Sequence, residues 1–139
     1  MQGREGSIII YGVNHGISIT RSPTDGLATG KRVHGPLSVI KEQDRSSPKL
    51  YQALCTGEHL KRVTLKWYRI TKMGTEEHYF THELEDAIIV SLSPFMPTTL
   101  LSENDPYRHM EQVSFTYKKI KWTWEPNGVE AEDSWDVPR

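Results

Sequence analysis

The sequence predicts a mainly β fold, an antiparallel sheet structure with one short α-helix packed against it. One segment near residue 50 has the end signals and spacing of a helix. Most of the remaining chain consists of β-branched and aromatic runs separated by turns rich in glycine and proline. Several of these runs are long, and long open strand edges invite association. We therefore expect the strands to close into a barrel or to pair with neighbouring chains.

Length, charge and cysteine content limit the classes of protein to consider. The 139 residues suffice for a single domain over 1–139. A net charge of −1 does not suggest nucleic acid or an anionic membrane as a partner. The one cysteine, Cys55, excludes an intrachain disulfide, favours a reducing compartment and is interpreted as a small buried apolar residue. Residues 1–6 lack the apolar core of a signal peptide, and no apolar run matches the length of a membrane span.

Strands are predicted on the N-terminal side of the helix. Residues 7–13 are apolar on both faces, which predicts a strand buried on two sides. Residues 17–20 continue that strand or start another. A second strand is predicted over 32–42, where Gly35-Pro36 introduces an edge or a bend.

The helix is predicted over the segment 47–57. Ser47 is a suitable N-cap, Pro48 fits the first helical position, and Gly57 is suited to a left-handed C-terminal cap. A helix of about three turns is not stable alone in water, so it must pack on the sheet. The residues predicted to dock it are Leu50, Tyr51 and Leu54.

Two long strands are predicted after the helix. Residues 60–71 form the first, and a hairpin turn with Gly74 at its positive-φ position leads into the second at 76–92. The two prolines at positions 94 and 97 are expected to end that strand.

The last long strand is predicted over 109–125, after a polar loop at 98–107. Its apolar residues change parity at Lys118-Lys119, where a β-bulge would place both sets on the core face. Asn127-Gly128 forms a turn, and 126–139 is interpreted as an acidic tail that is too short for a toxin domain. The predicted core aromatic residues are Trp67, Phe115, Tyr117, Trp122 and Trp124.

Three groups of residues have the composition of functional sites, and each has a simpler structural interpretation. His78 and His82 have the spacing of zinc ligands on a helix, but on a strand they are about 13 Å apart. Residues 118–124 interleave lysines and aromatics like a single-strand nucleic-acid groove, but a strand with one charged face explains them. The carboxylates of the tail suit acid–base or calcium chemistry, but they are typical of a solvated terminus. We therefore predict no catalytic residue, no metal site and no cofactor.

Seven segments of the chain form an ordered set that is more informative than any one motif. They include TGKRVHGP at 29–36 and SSPKLYQAL at 46–54. The others lie at 65–69, 77–81, 84–90, 113–122 and 133–135. Taken together, they resemble the haemolysin-coregulated protein (Hcp) family, the tube subunits of bacterial type VI secretion systems.

The resemblance implies an antiparallel two-sheet β-barrel with one short α-helix packed on its side. It also implies a homohexameric ring that stacks into a tube, inside a contractile sheath and capped by a spike protein. The family's tube is made in the bacterial cytoplasm, carries small effector proteins in its lumen, and is expelled without a cleaved signal peptide. Neither nucleic acid nor membrane insertion is implied. The loop at 21–31 is then a natural subunit contact, and the candidate contact residues are Asp25, Arg32 and His34.

Two departures from the family pattern bear on assembly. Family members usually carry further residues before the position of Gly3, including a first β-strand, so this chain is expected to lack that strand and to expose a sheet edge. Gly35 precedes Pro36 where many relatives have lysine, which softens the turn and removes a charge.

The sequence leaves three classes of function to be distinguished. The first is a structural tube subunit that also carries effectors. The second is a monomeric β-barrel module that binds a small ligand or peptide at the barrel mouth. The third is an enzyme, for which the sequence supplies no motif. Oligomeric state separates the first class from the second.

Overall fold

The computed structural model describes residues 7–21, 28–96 and 109–134, with side chains described from 7–19, 32–96 and 109–134. These residues form mainly β-strands and one helix, so the predicted mainly β class with one short helix is confirmed. The helix α1 spans Ser47–Thr56. The strands are β1 (Gly12–Asn14), β2 (Ile17–Arg21), β3 (Ala28–His34), β4 (Leu37–Glu42), β5 (Leu60–Ile70), β6 (Glu76–Phe95), β7 (Met110–Thr116), β8 (Lys119–Trp124) and β9 (Val129–Ser134).

The chain packs as two compact units. The first takes its residues from 1–58 and 89–116, and the second from 59–88 and 117–139. The single domain expected from chain length stays a prediction.

The core of the first unit lies on β4 and β7, which pair antiparallel with Leu37 opposite Phe115 and Val39 opposite Val113. These four side chains are buried because inward positions alternate along both strands. The short β1 pairs with the other edge of β4, with Val13 opposite Val39.

The β2–β3 ribbon is a separate two-stranded sheet of the first unit. Ile17 lies opposite His34, and the N–H of Gly35 donates to the carbonyl of Gly16 over 2.9 Å. The predicted interruption at Gly35-Pro36 is confirmed, because β3 ends at His34 and β4 begins at Leu37.

The helix begins one residue earlier than a Ser47 cap requires. The N-cap is Ser46, and the predicted N-cap, Ser47, is the first helical residue. Ser47 does not cap the helix, because its hydroxyl donates instead to Oε1 of Glu111, on β7, over 2.7 Å. The C-terminal prediction is confirmed, since Gly57 has φ 68° and its N–H donates to the carbonyl of Leu54.

Cys55 is exposed, so its interpretation as a buried residue is wrong. It lies two residues after the buried Ala53, which places it about 200° further round the helix and on the outer face.

The second unit is an antiparallel sheet in the order β5, β6, β8 and β9. The turn between β5 and β6 contains Gly74 with φ 81°, as predicted. β6 continues to Phe95, so Pro94 lies inside the assigned strand instead of ending it. Proline is tolerated at a strand end because only one ladder N–H is lost.

Residues 129–134 form a strand, so this part of the predicted tail is structured, although residues 129–132 are exposed. β9 pairs antiparallel with β8, with Val129 opposite Trp124 at one end and Ser134 opposite Lys119 at the other. The turn between the two strands contains Gly128, which has φ 65°. The tail interpretation missed this strand because its alternating acidic residues look soluble, although a hairpin partner needs only one packed face. Residues 135–139 lie outside the described part of the chain.

The predicted N-terminal strand is shorter and more exposed than expected. Only Gly12–Asn14 is a strand, and Ile8, Ile9 and Tyr11 are exposed. Among the described residues, pairing begins where the Tyr11 N–H donates to the Ile40 carbonyl over 2.8 Å. Two-sided burial is therefore wrong for this segment.

The predicted strand at 109–125 is two strands. β7 pairs with β4 and β6, whereas β8 pairs with β6 and β9, so around Lys118 the chain keeps β6 as a neighbour and exchanges β4 for β9. The backbone N–H of Lys118 donates to the carbonyl of Glu85. The change of parity is confirmed, since Phe115 and Ile120 are both buried, but the proposed bulge is a break between strands.

Candidate assembly surface

A buried polar cluster fixes the start of α1 to the sheet of the first unit. Lys41 on β4 and Glu111 on β7 face each other and form an ion pair, with side chains only 2% and 0% exposed. The Lys41 ammonium also donates to Oδ1 of Asp44 over 3.2 Å, and Ser47 donates to the same Glu111 oxygen. Among the described residues, the second Glu111 oxygen has no hydrogen-bond partner. The Lys41–Glu111 pair is a structural connection rather than a reactive site, because solvent does not reach these two side chains.

This ion pair was not predicted, although the parity of the two strands signals it. Lys41 follows Leu37 and Val39 at two-residue spacing, which is the inward position of β4. Glu111 precedes Val113 and Phe115 in the same way on β7. A charged residue at an inward position of each of two strands predicts a buried pair, provided that the strands are known to be neighbours.

The β2–β3 ribbon is an exposed apolar feature of the first unit. Ile17 and Ile19 share one face with Arg32 opposite, while Val33 lies on the other face opposite Ser18. The three apolar side chains are all exposed. An isolated two-stranded ribbon is marginally stable in water. Coverage by another chain would therefore stabilise it.

An open cavity of about 430 Å³, closer to a surface groove than to an enclosed pocket, lies at the base of the ribbon, where β1 leads into β2 and β3 leads into β4. Its lining includes Asn14, His15, Val33, Pro36 and Ser38. The Ser38 hydroxyl also makes a 2.7 Å hydrogen bond with the hydroxyl of Ser114. The cavity thus combines apolar walls with a few polar groups.

Two histidines lie close to this cavity. Burial, and then the nearby His34, lower the pKa of His15 below its usual value. The folded protein therefore favours neutral His15, and this contribution to stability is lost as the pH falls through the ordinary histidine range.

The three predicted subunit contacts have different outcomes. Asp25 and the centre of the 21–31 loop lie outside the described residues. Arg32 is half-buried on the ribbon and remains a proposed contact. His34 is 4% exposed within the subunit, so little of its side chain is available to a neighbour.

The predicted docking and core residues are distributed between buried and half-buried positions. Leu50, Tyr51 and Leu54 are half-buried, whereas Ala53 and Ser47 are the buried residues of α1. Phe115 and Tyr117 are buried. Burial, and then the charge of Asp133, raise the pKa of Tyr117 above its usual range. The half-buried aromatic residues are Trp67, Trp122 and Trp124.

The two histidines with zinc-like spacing make separate contacts on β6. His82 Nδ1 accepts a hydrogen bond from Trp67 Nε1 over 2.9 Å, and His78 Nε2 lies 2.6 Å from the Thr81 hydroxyl. Over the three described ranges, no group of three or more histidine, cysteine, aspartate or glutamate residues could hold a metal ion.

The lysines of β8 form ion pairs with neighbouring carboxylates. Lys119 lies 3.1 Å from Glu132 on β9, and Lys121 lies 4.0 Å from Glu130. The hydrogen bond and charge of Glu132 raise the pKa of Lys119. These pairs favour the interpretation of 118–124 as a strand with a charged face.

No helix in the described part of the chain is long and apolar enough to cross a membrane.

The fold and the exposed ribbon together define a mainly β protein with surfaces suited to association. The sequence profile of the family described as "Type VI secretion system effector, Hcp" matches residues 1–124. The chain belongs to this Hcp family.

Relatives and solved structures agree with this assignment. The "Major exported protein" of Pseudomonas aeruginosa PAO1 is 43% identical over 137 residues, which cover 99% of this chain and 80% of the relative. A crystal structure of an Hcp protein aligns with a TM-score of 0.89 at 33% identity, covering 97% of this chain and 81% of its own. Mutant Hcp1 from E. coli EAEC 042 aligns with a TM-score of 0.83 at 39% identity, with coverages of 96% and 85%.

Proposed function

We propose that this chain is a structural subunit of a type VI secretion tube, which assembles as hexameric rings that stack end to end. The observation that carries this proposal is membership of the Hcp family over nearly the whole chain. The exposed apolar ribbon also supports it, because neighbouring subunits would cover Ile17, Ile19 and Val33.

The proposed tube is expelled from the bacterial cytoplasm by the type VI machine. The relative named "Major exported protein" and the Pseudomonas structure described as "Secreted protein Hcp3" support export. The proposed partners are further copies of this chain, a contractile sheath, a spike protein and small effector proteins in the lumen. The role is architectural, with no catalytic step.

Light scattering coupled to size-exclusion chromatography, with negative-stain microscopy, tests this proposal. We expect a hexameric mass and ring-shaped particles, with stacks at higher concentration. A protein that remains strictly monomeric at high concentration would contradict the proposal.

The cavity at the base of the ribbon favours a second candidate, a monomeric module that binds a small ligand or a peptide. Its volume lies within the range of small-molecule sites. This candidate predicts a monomer whose Tm rises with ligand concentration. A screen of peptides and small metabolites by thermal shift, with Val33→Asp as a variant that alters the cavity wall, tests it.

A further inference from the structure

The β2–β3 ribbon is held at its base by few backbone contacts. Ile17 lies opposite His34 at the last pair of the ladder, and the N–H of Gly35 donates to the carbonyl of Gly16 just beyond it. A ribbon of two strands opens locally more easily than the strands of a core. A small change in free energy at the base therefore decides whether the ribbon stays paired.

This base contains a cluster of two histidines. His34 is the last residue of β3 and is 4% exposed. His15 precedes Ile17, the partner of His34, by two residues. The alternation of side chains along the ribbon places His15 on the same face as His34 and diagonal to it. The two imidazoles are therefore close enough for a charge on one to act on the other.

Water and protons reach the cluster through the open cavity at the base of the ribbon. His15 lines this cavity, and the other lining residues, from all of β1 to β4, are uncharged. Arg32, opposite Ile19, is a further basic residue on the face of the ribbon that carries His34. The charged and titratable groups on this face of the ribbon are thus His34 and Arg32, so a proton on His15 adds positive charge to a face that is already basic.

We propose that the His15–His34 cluster makes the ribbon an acid-sensitive subunit contact. Uptake of a proton at His15 opens the base of the ribbon, and the apolar surface formed by Ile17 and Ile19 is then lost from the contact. This inference rests on the proposed function, in which neighbouring subunits cover the ribbon, and adds a way in which that contact is regulated.

The direction of the effect follows from the two states of His15. In the closed ribbon, burial and then the nearby His34 lower the pKa of His15 below its usual value of 6.5. In the open ribbon, water solvates the imidazole and its pKa returns towards that value. The closed form therefore keeps its full advantage above pH 6.5 and loses it as the pH falls further, with at most about a tenfold rise in the open population per pH unit.

Hydrogen–deuterium exchange followed by mass spectrometry tests the opening of the ribbon. After correction for the intrinsic exchange rate, we expect the protection of peptides that contain Gly35 to fall by up to about tenfold between about pH 7.5 and pH 5.5. In His15→Gln, and in His15→Asn as a second variant, the side chain stays uncharged and protection should not change with pH. His109→Gln alters an exposed histidine and should keep the response of the parent. Thermal melts at neutral pH establish that each variant is folded.

Light scattering at the same two pH values tests the contact between subunits. We expect the parent and His109→Gln to lose hexamers and stacks in acid and to regain them when the pH is returned to neutral. We expect His15→Gln to stay assembled at both pH values, because it has no proton to take up at this position.

The outcomes separate this inference from the proposed function. If the parent assembles at neutral pH and neither its protection nor its assembly changes in acid, the acid-sensitive contact is wrong and the tube function stands. The same conclusion follows if His15→Gln responds to acid as strongly as the parent. If the parent remains monomeric at neutral pH and high concentration, the tube function is overturned, and the regulated contact is overturned with it.

Discussion

At the scale of single residues, the Lys41–Glu111 pair makes the sharpest prediction about stability. Removing one partner leaves the other charge buried without compensation. We expect Glu111→Ala to lower the free energy of unfolding by about 3–5 kcal/mol, although Asp44 retains one contact with Lys41. Urea denaturation followed by circular dichroism measures the difference.

The matched control for this pair is the double variant Lys41→Met/Glu111→Leu. It replaces both charges by apolar groups, and one Glu111 oxygen has no partner among the described residues. We expect this variant to lie within about 1 kcal/mol of the parent. Equal losses in the single and double variants would show that the charge is not the cause.

Asp86 makes a second prediction at this scale. It lies within β6 but has φ 53°, a left-handed conformation that disfavours a side chain. Its carboxylate lies 2.7 Å from Nδ1 of His59, and both side chains are exposed, so this contact contributes little. We expect Asp86→Gly to be about 1 kcal/mol more stable than Asp86→Ala, because both lose the contact but only glycine relieves the backbone. Thermal melts of the two variants measure this, and equal stability would contradict it.

At the scale of elements, the sequence correctly predicted the helix C-cap and the turns, because these depend on residues that are close together in the chain. Gly57, Gly74 and Gly128 all have positive φ at the predicted cap and turns. The N-cap was misplaced because the Ser47 hydroxyl bonds to Glu111, 64 residues away in sequence. A local rule cannot detect a competitor that arrives from a distant strand.

The helix face gives the prediction at this scale. Ala53 is buried whereas Leu50 and Leu54 are only half-buried, so the closest packing of α1 occurs at its small residue. We expect Ala53→Asp to destabilise by about 3 kcal/mol or more, because it buries an unpaired charge. Leu54→Asp should cost less, and Gln52→Asp on the exposed face is the control. A native-like Ala53→Asp protein in urea denaturation would contradict this packing.

At the scale of the whole molecule, the strand pairings were the least predictable feature. β4 pairs with β7 across more than 60 residues of sequence, and nothing local specifies this partner. The parity change near Lys118 was visible, but a bulge within one strand and a change of partner give the same pattern. The exposure of the ribbon could not be predicted either, because Ile17, Ile19 and Val33 are residue types that usually lie in a core.

The ribbon carries the last prediction, which concerns assembly. Ile19→Asp combined with Val33→Asp removes an apolar group from each face of the ribbon, at positions that are exposed in the subunit. We expect a monomer Tm within a few degrees of the parent but a marked loss of hexamers and stacks in light scattering, because charged groups would have to be buried at the contact. Met73→Asp, at the exposed β5–β6 turn, introduces the same group away from the ribbon and should assemble normally. Normal rings and stacks from the double variant would show that the ribbon is not covered in the assembly, and the contact would then have to lie on other surfaces of the subunit.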